Sequence, residues 1–546
     1  MTSGGERADV IVVGGGPAGS TAATLLARQG LAVTLLERAR FPREHIGESL
    51  LPASMPILDA LGVLPRLEAE GYLKKWGATM VWGTTREPWS WYFRETNQRF
   101  PHAYQVWRPA FDHMLLKNAA TSGAVVREGC WVRGALFEGD RAIGVRFTEV
   151  DDDQGRHLEA RHIVDASGQG GLIGRALGLR RVDPHFRNLA VYGYYDGAER
   201  LPEPDHTNIF IESFEHGWFW HIPLHTGRMS VGAVVDSRYG QDGIARLGAA
   251  AFFAEQIGAA PRTKAMLRAA RCVQGPTVIR DWSYVSDRVV GPGWILCGDA
   301  ACFIDPLFST GVHLALSSGL MAAAYVATAL RDPTLAEAAA PVYQRLYAQQ
   351  YSHFRELARL FYASNRTIES YFWETRRILH DDSLTPREAF VRATAGQSVK
   401  GYERVVLERG ELPPEFASAV QGLEKTHADR ARRAQDLLGA ARSGDLVPVL
   451  APGTRVERNA VLAEGAFAWG NVLSAPHRPE GVEVSALIHR LVELCDGRRT
   501  VADLVTALKA TAGPATVAES LTRTVVDALR ILYVDGVVAE LRERAA

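Results

Sequence analysis

Lysine is scarce in this 546-residue chain. It stands at positions 74, 75, 117, 264, 400, 425 and 509, so the adjacent pair Lys74-Lys75 is conspicuous. Charge of one sign is also missing. The formal net charge is -1, which leaves no global field to attract nucleic acid or an anionic membrane. Cysteine is limited to positions 130, 272, 297, 302 and 495, with no CxxC pair and no accompanying His cluster. That excludes a disulfide framework and a zinc or other metal site, and points to the reduced thiols of a cytoplasmic protein. No basic segment followed by an apolar stretch opens the chain, so no signal peptide is expected. One long apolar run exists, Val312 to Leu330, but Ser317, Ser318 and Gly319 interrupt it. It reads as a buried helix rather than a membrane span.

What is present is ordinary globular sequence, 47% apolar and 23% charged, long enough for two or three domains. Asp9 to Val13 reads as a buried strand, Ser20 to Gln29 as a helix ended by Gly30, and Ala32 to Leu36 as a second strand. This is a βαβ unit with parallel strands. Strand-rich sequence returns at Thr79 to Phe93 and at Leu189 to Val235. The alternation of Trp89, Trp91 and Phe93 predicts three aromatics on one strand face. Helical sequence follows from Gly311 to about Ala441, and a Pro/Gly-rich stretch, Val447 to Gly453, marks a boundary. Beyond it, Ser485 is placed to cap a helix running to Cys495. Thr500 to Asp503 and Thr516 to Glu519 are capping boxes, and Val537 to Leu541 is a terminal strand. Helices followed by a strand resemble a winged-helix module.

Between the first strand and helix, Gly14, Gly16 and Gly19 have GxGxxG spacing, with Ala18 inside the motif. Gly14 permits the tight turn. Gly16 lets a pyrophosphate approach the backbone, and Gly19 lets helix and sheet pack closely. The phosphates then sit on the helix N-terminus. Glu37, followed by Arg38, ends the second strand and can bind both ribose hydroxyls. Far downstream, a strand delivers Gly298-Asp299-Ala300, whose Asp suits a ribityl hydroxyl of FAD. Arg108 precedes a helix and is placed to meet the same cofactor; a surface Arg is the alternative reading of that position.

Together these residues resemble the FAD-dependent monooxygenase superfamily with the p-hydroxybenzoate hydroxylase fold. Further motifs resemble those of flavin-dependent halogenases, over roughly the first two-thirds of the chain. They are Ile46-Gly47-Glu48-Ser49-Leu50-Leu51-Pro52, Tyr72 to Ala78 with Lys74-Lys75, Trp218-Phe219-Trp220-His221-Ile222-Pro223 (WxWxIP), and Asp305-Pro306-Leu307-Phe308-Ser309-Thr310-Gly311-Val312.

The resemblance implies an α/β fold. Its expected parts are an FAD-binding Rossmann-like domain (1–180, with substrate-side strands at about 70–110, and 286–345) and a mixed β-sheet substrate domain (181–285). A helical region (346–446) and a winged-helix-like C-terminal domain (455–546) would follow. Gly14, Gly16, Ala18, Gly19, Glu37, Arg38, Ser49, Arg108, Asp299, Gly311 and Val312 would hold FAD. Ser309, Thr310 and Gly311 would hold the halide. Lys75, Trp218, Trp220 and Glu48 would be catalytic. A separate flavin reductase would supply FADH2. With O2 and chloride or bromide, the enzyme would then make hypohalous acid, which a lysine passes to the acceptor ring. That lysine must be buried, since burial lowers its pKa and frees the amine. Lys75 fits the family spacing, and Lys74 points to the opposite face of an extended segment. Trp218 and Trp220 share a strand face and would wall the flavin off from the organic substrate.

Tryptophan halogenases carry a glutamate where this loop has Phe308. Its absence points away from free tryptophan and toward the branch acting on phenols and pyrroles, free or tethered to a carrier protein, in natural-product biosynthesis. His102, His216 and His313 are the candidate bases for such a phenol, each more readily read as structural. The C-terminal module would dock a carrier, cover the site or mediate a homodimer. Its third helix sets Arg523 and Arg530 against Glu519 and Asp527, too neutral for DNA. Two other enzymes share parts of the pattern. An NAD(P)H-dependent aromatic hydroxylase would carry a DG motif, from which Asp165 to Gly171 departs. A geranylgeranyl-type reductase would not need the paired tryptophans.

Overall fold

A computed structural model describes residues 7–83, 86–150, 152–362, 386–396, 429–439, 443–476, 478–511 and 518–543. The chain forms two compact units, residues 1–399 with 462–466, and residues 400–461 with 467–546. Much of the expected 346–446 helical region, and Thr516-Val517 of the last expected capping box, lie outside the described residues.

The first unit is built on two eight-stranded sheets. In one, Arg7–Val13 lies between Val33–Glu37 and Asp152–Asp165, parallel to both, and Val125–Glu128 and Trp294–Leu296 extend the parallel set. Val10, Ile11 and Val12 are fully buried, as a central parallel strand covered on both faces requires. Helix Pro17–Arg28 follows the first strand and packs against helix Thr310–Arg331. The approach is close: a Cβ at Gly319 would stand 2.5 Å from the Ala18 carbonyl oxygen. Helix Thr310–Arg331 is long and apolar enough to cross a membrane, but 89% of its most apolar window is buried inside the protein, so it is a core helix.

The second sheet runs in the order Cys302–Phe303, Arg271–Ser286, Arg180–Asp196, Met229–Asp236, Gly217–Pro223, Ile209–Phe214, Gly77–Val81, Trp89–Tyr92. All its pairings are antiparallel except Ile209–Phe214 with Gly77–Val81. Trp89 and Trp91 do share a buried face, but the strand stops at Tyr92. Phe93 opens a 3-10 turn instead, because the Glu95 side chain turns back to accept from the Tyr92 N–H at 2.9 Å. Helix Pro386–Thr394 covers this face, with the Phe390 ring 4.9 Å from that of Trp91.

The second unit holds helices Ala486–Leu494, Val501–Thr511 and Ala518–Val534 and strand Val538–Glu543, which pairs antiparallel with Leu446–Leu450. Ser485 caps the first helix through Ile488 N–H. Thr500 and Asp503 form the reciprocal box expected of them, at 3.0 and 3.2 Å. A three-stranded sheet over Arg455–Leu462, Phe467–Ala475 and Arg478–Val484 was not anticipated from the sequence. Its burial pattern is too irregular to give a clean two-residue alternation.

Candidate active site

The Gly-rich turn, the second strand end, the Gly298-Asp299 turn and the Asp305–Val312 loop converge on one cavity of about 880 Å³. The three glycines divide the work. Gly14 has φ +103°, and a Cβ there would lie 2.3 Å from the Ala166 carbonyl oxygen; a Cβ at Gly19 would lie 1.9 Å from the Gly14 oxygen. Both positions close the turn sterically. A Cβ at Gly16 meets only Arg43 Nη2, at 3.4 Å, so it would project into the cavity itself.

Glu37 accepts from Gly15 N–H at 2.6 Å and from Ala39 N–H at 2.7 Å, which fixes its carboxylate on the cavity wall. Arg108 is the first residue of helix Arg108–Thr121, and its guanidinium is bidentate to Asp112 with both bonds at 2.8 Å. It also donates to the Ile46 carbonyl, so it braces the Ile46–Ser49 segment. Arg43 joins the same carboxylate at 3.2 Å. Asp299 faces the cavity, and burial raises its carboxyl to about 6 against the pull of Arg108 and Arg180. Ala18, Arg38, Ser49, Gly311 and Val312 line the cavity as well.

Two buried polar atoms of this wall have no protein partner, Ser49 Oγ and Arg43 Nη1. Orphaned donors beside an open glycine turn fit a pyrophosphate, so the residues present suit FAD. Arg43 was not singled out from the sequence. It lies four residues before Gly47-Glu48-Ser49, in a segment with no motif of its own.

Strand Gly217–Pro223 delivers Trp218, Trp220 and Ile222 to the same cavity. The two indoles are 6.1 Å apart. Trp220 Nε1 donates to Ser230 Oγ at 3.2 Å, and Trp218 Nε1 donates to the Tyr362 hydroxyl at 2.5 Å. Glu48 is fully buried. It accepts from Tyr194 at 2.8 Å and from Gly47 N–H at 3.1 Å, and burial lifts its pKa.

On the same cavity wall, Ser309 heads helix Thr310–Arg331 in a left-handed conformation (φ +58°, ψ +31°). A non-glycine residue there carries strain of about 1–3 kcal/mol, which proteins retain mostly at functional positions. Thr310 and Gly311 follow at the helix N-terminus, where N–H groups lack intrahelical partners and favour an anion. Phe308 does not line the cavity; it packs on Phe361 at 5.0 Å.

Lys75 lies outside that cavity wall and is 2% exposed. It ends strand Leu73–Lys75, Nζ donates to the Leu50 carbonyl at 3.1 Å, and the ammonium position is 5.5 Å from the Phe93 ring centre. Burial alone lowers its pKa to about 7. Lys74 points the other way, 43% exposed and 3.8 Å from Glu68. Ser49 lines the cavity and Leu50 holds the amine, so two consecutive residues connect the two places.

The three candidate histidines lie off the cavity wall. His102 packs on Trp76, exposed His216 packs on Tyr239, and buried His313 faces Ser54 at 3.5 Å, with burial holding it down to about 4. Burial and Lys74 lower the pKa of His102 against the pull of Glu68.

A glycine-rich turn, ribose-side acid and second acidic turn around one cavity, on this two-sheet frame, define an FAD-dependent oxidoreductase. The family model described as tryptophan halogenase matches residues 9–100 and 93–412. A "Tryptophan 2-halogenase" of Chondromyces crocatus is 37% identical over 376 residues, covering 68% of this chain and 71% of that one. A "1H-pyrrole-2-carbonyl-[peptidyl-carrier protein] chlorinase" of Pseudomonas fluorescens is 30% identical over 397 residues, covering 67% and 86%. Among solved structures, the flavin-dependent halogenase CmlS superposes with a TM-score of 0.70 at 29% identity, over 99% of this chain and 98% of its own. The chain belongs to the tryptophan halogenase family of flavin-dependent halogenases.

Proposed function

We propose that this halogenase modifies an electron-rich phenolic or pyrrolic ring of a natural-product intermediate, with FADH2 brought by a separate flavin reductase and chloride or bromide as the halide. The observation that carries the reading is Lys75: a buried amine with a pKa near 7, one residue removed from the wall of the flavin cavity but not part of it. Bound, reduced FAD supplies the activation of O2.

The protein's own residues supply position. Gly16, Arg43 and Ser49 would hold the pyrophosphate of FAD, Glu37 the ribose, and Asp299 the ribityl chain. Thr310 and Gly311 hold the halide at a helix N-terminus. Trp218 and Trp220, on the cavity wall, would keep the organic ring from the flavin. The Lys75 amine, whose pKa burial lowers to about 7, accepts the hypohalous oxidant and presents it to the ring. Glu48, whose carboxyl burial lifts above its ordinary range, lines the cavity and is our candidate for exchanging a proton there.

Phe308 supports the acceptor class. An apolar ring at that position offers no carboxylate to polarise an unactivated indole, whereas a phenol or pyrrole is nucleophilic already. Tethering of the acceptor to a carrier protein is supported by the name of the Pseudomonas relative. The test supplies the purified protein with FAD, a flavin reductase, NADH and bromide, and offers a phenol and a pyrrole, each free and as a carrier thioester. A mass gain of bromine is expected. A gain of one oxygen would instead favour the hydroxylase reading.

A further inference from the structure

Tyr362 belongs to no motif, yet it joins two of the motifs above. Its hydroxyl accepts from Trp218 Nε1 at 2.5 Å and donates to Asp305 Oδ2 at 2.9 Å. The other oxygen, Asp305 Oδ1, accepts from Leu307 N–H at 2.9 Å, and Asn188 Nδ2 reaches Oδ2 at 3.3 Å. Asp305 is buried and lines the flavin cavity, and Ser309, four residues on, takes the left-handed turn that starts the halide helix. One carboxylate therefore shapes the loop with one oxygen and, through one hydroxyl, holds an indole with the other.

We propose that Tyr362 and Asp305 are positioning residues that lock the Trp218 ring to the halide loop, so that the wall between flavin and acceptor is set in place by the same loop that holds the halide. The proposal rests on the wall role given to Trp218 above. The physical basis is that a buried indole N–H left without a partner keeps its desolvation cost, and the ring then gains by turning elsewhere. In the bond chain Trp218–Tyr362–Asp305 the indole donates to the hydroxyl and the hydroxyl to the carboxylate, and Asn188 Nδ2 reaches both the hydroxyl, at 3.4 Å, and Oδ2. Trp220 is held separately, through Ser230 on the neighbouring strand. The two rings are thus held by different partners.

The test compares wild type with Tyr362→Phe and Asp305→Asn. In protein labelled at the indole nitrogens, the Trp218 N–H resonance is assigned by its loss in Trp218→Phe. It should move upfield in Tyr362→Phe and less far in Asp305→Asn. In the coupled assay, the ratio of halogenated product to released peroxide should fall about tenfold in Tyr362→Phe, the size of one hydrogen bond, with FAD affinity unchanged. A role in stability alone would lower the melting temperature and leave both the resonance and the ratio where they were. An unmoved Trp218 resonance, or a wild-type product ratio in Tyr362→Phe, overturns the proposal. If wild type itself forms no halogenated product, the functional reading fails, and the resonance still decides whether the bond chain exists.

Discussion

The indole of Trp220 lies flat against Gly232, its direct partner in the neighbouring strand. A Cβ at Gly232 would stand 2.1 Å from Cζ2 of that ring and 2.3 Å from Cη2. The missing side chain at 232 is what lets the ring occupy its place on the cavity wall.

Gly232→Ala should therefore push Trp220 off its strand and into the cavity. Overpacking of this kind costs about 1–3 kcal/mol, visible in chemical denaturation. Halogenation should drop while the variant continues to consume reduced flavin and release peroxide. Product yield equal to wild type would show that the Trp220 ring position is immaterial.

The glycines of the dinucleotide turn should separate by phenotype. Gly19→Ala puts a methyl 1.9 Å from the Gly14 carbonyl oxygen and should prevent folding. Gly16→Val meets no backbone, so the apoprotein should fold and melt as wild type does, yet purify colourless because the side chain fills the pyrophosphate path. A yellow, FAD-loaded Gly16→Val protein would contradict the assignment.

Lys75 should cost stability. Its folded pKa, about 7, lies below the 10.5 of an exposed lysine. Between those values the unfolded chain binds more protons, so stability rises with pH across the window, and the penalty is fully felt below pH 7. Lys75→Met should thus raise the unfolding free energy at pH 6 by on the order of a few kcal/mol, and the advantage should shrink toward pH 10. A variant less stable than wild type at pH 6 would argue against a buried amine.

The same pKa predicts the acid limb of the rate. Only the neutral amine takes up the oxidant, so halogenation should fall below about pH 7, tenfold per unit at the extreme, while peroxide release stays level. A flat halogenation profile from pH 5.5 to 8 would remove Lys75 from the rate-determining chemistry.

The βαβ unit and the cavity at its glycine turn were legible because local rules dictate them. The glycine spacing, the run Val10–Val12 and Glu37 each meet a requirement that acts within a few residues. The choice of Lys75 rested on the family spacing; strand alternation said only that Lys74 and Lys75 face opposite ways, which the burial of one and exposure of the other match. What escaped the sequence acts at long range. Gly232 is one glycine among 51 until Trp220 is laid over it. Tyr362 and Arg43 lie in helix and loop sequence without periodic or motif signal, and matter through partners at Trp218, Asp305 and Asp112. The strand end at Tyr92 was missed because a side-chain bond from Glu95 overrode an alternation that reads through Phe93.

The most direct test compares Lys75→Ala with Lys74→Ala in the coupled assay, measuring brominated product and peroxide from the same reactions. The account predicts that Lys75→Ala binds FAD and releases peroxide at the wild-type rate but makes no brominated product, while Lys74→Ala brominates normally. Bromination by Lys75→Ala at the wild-type rate would contradict it.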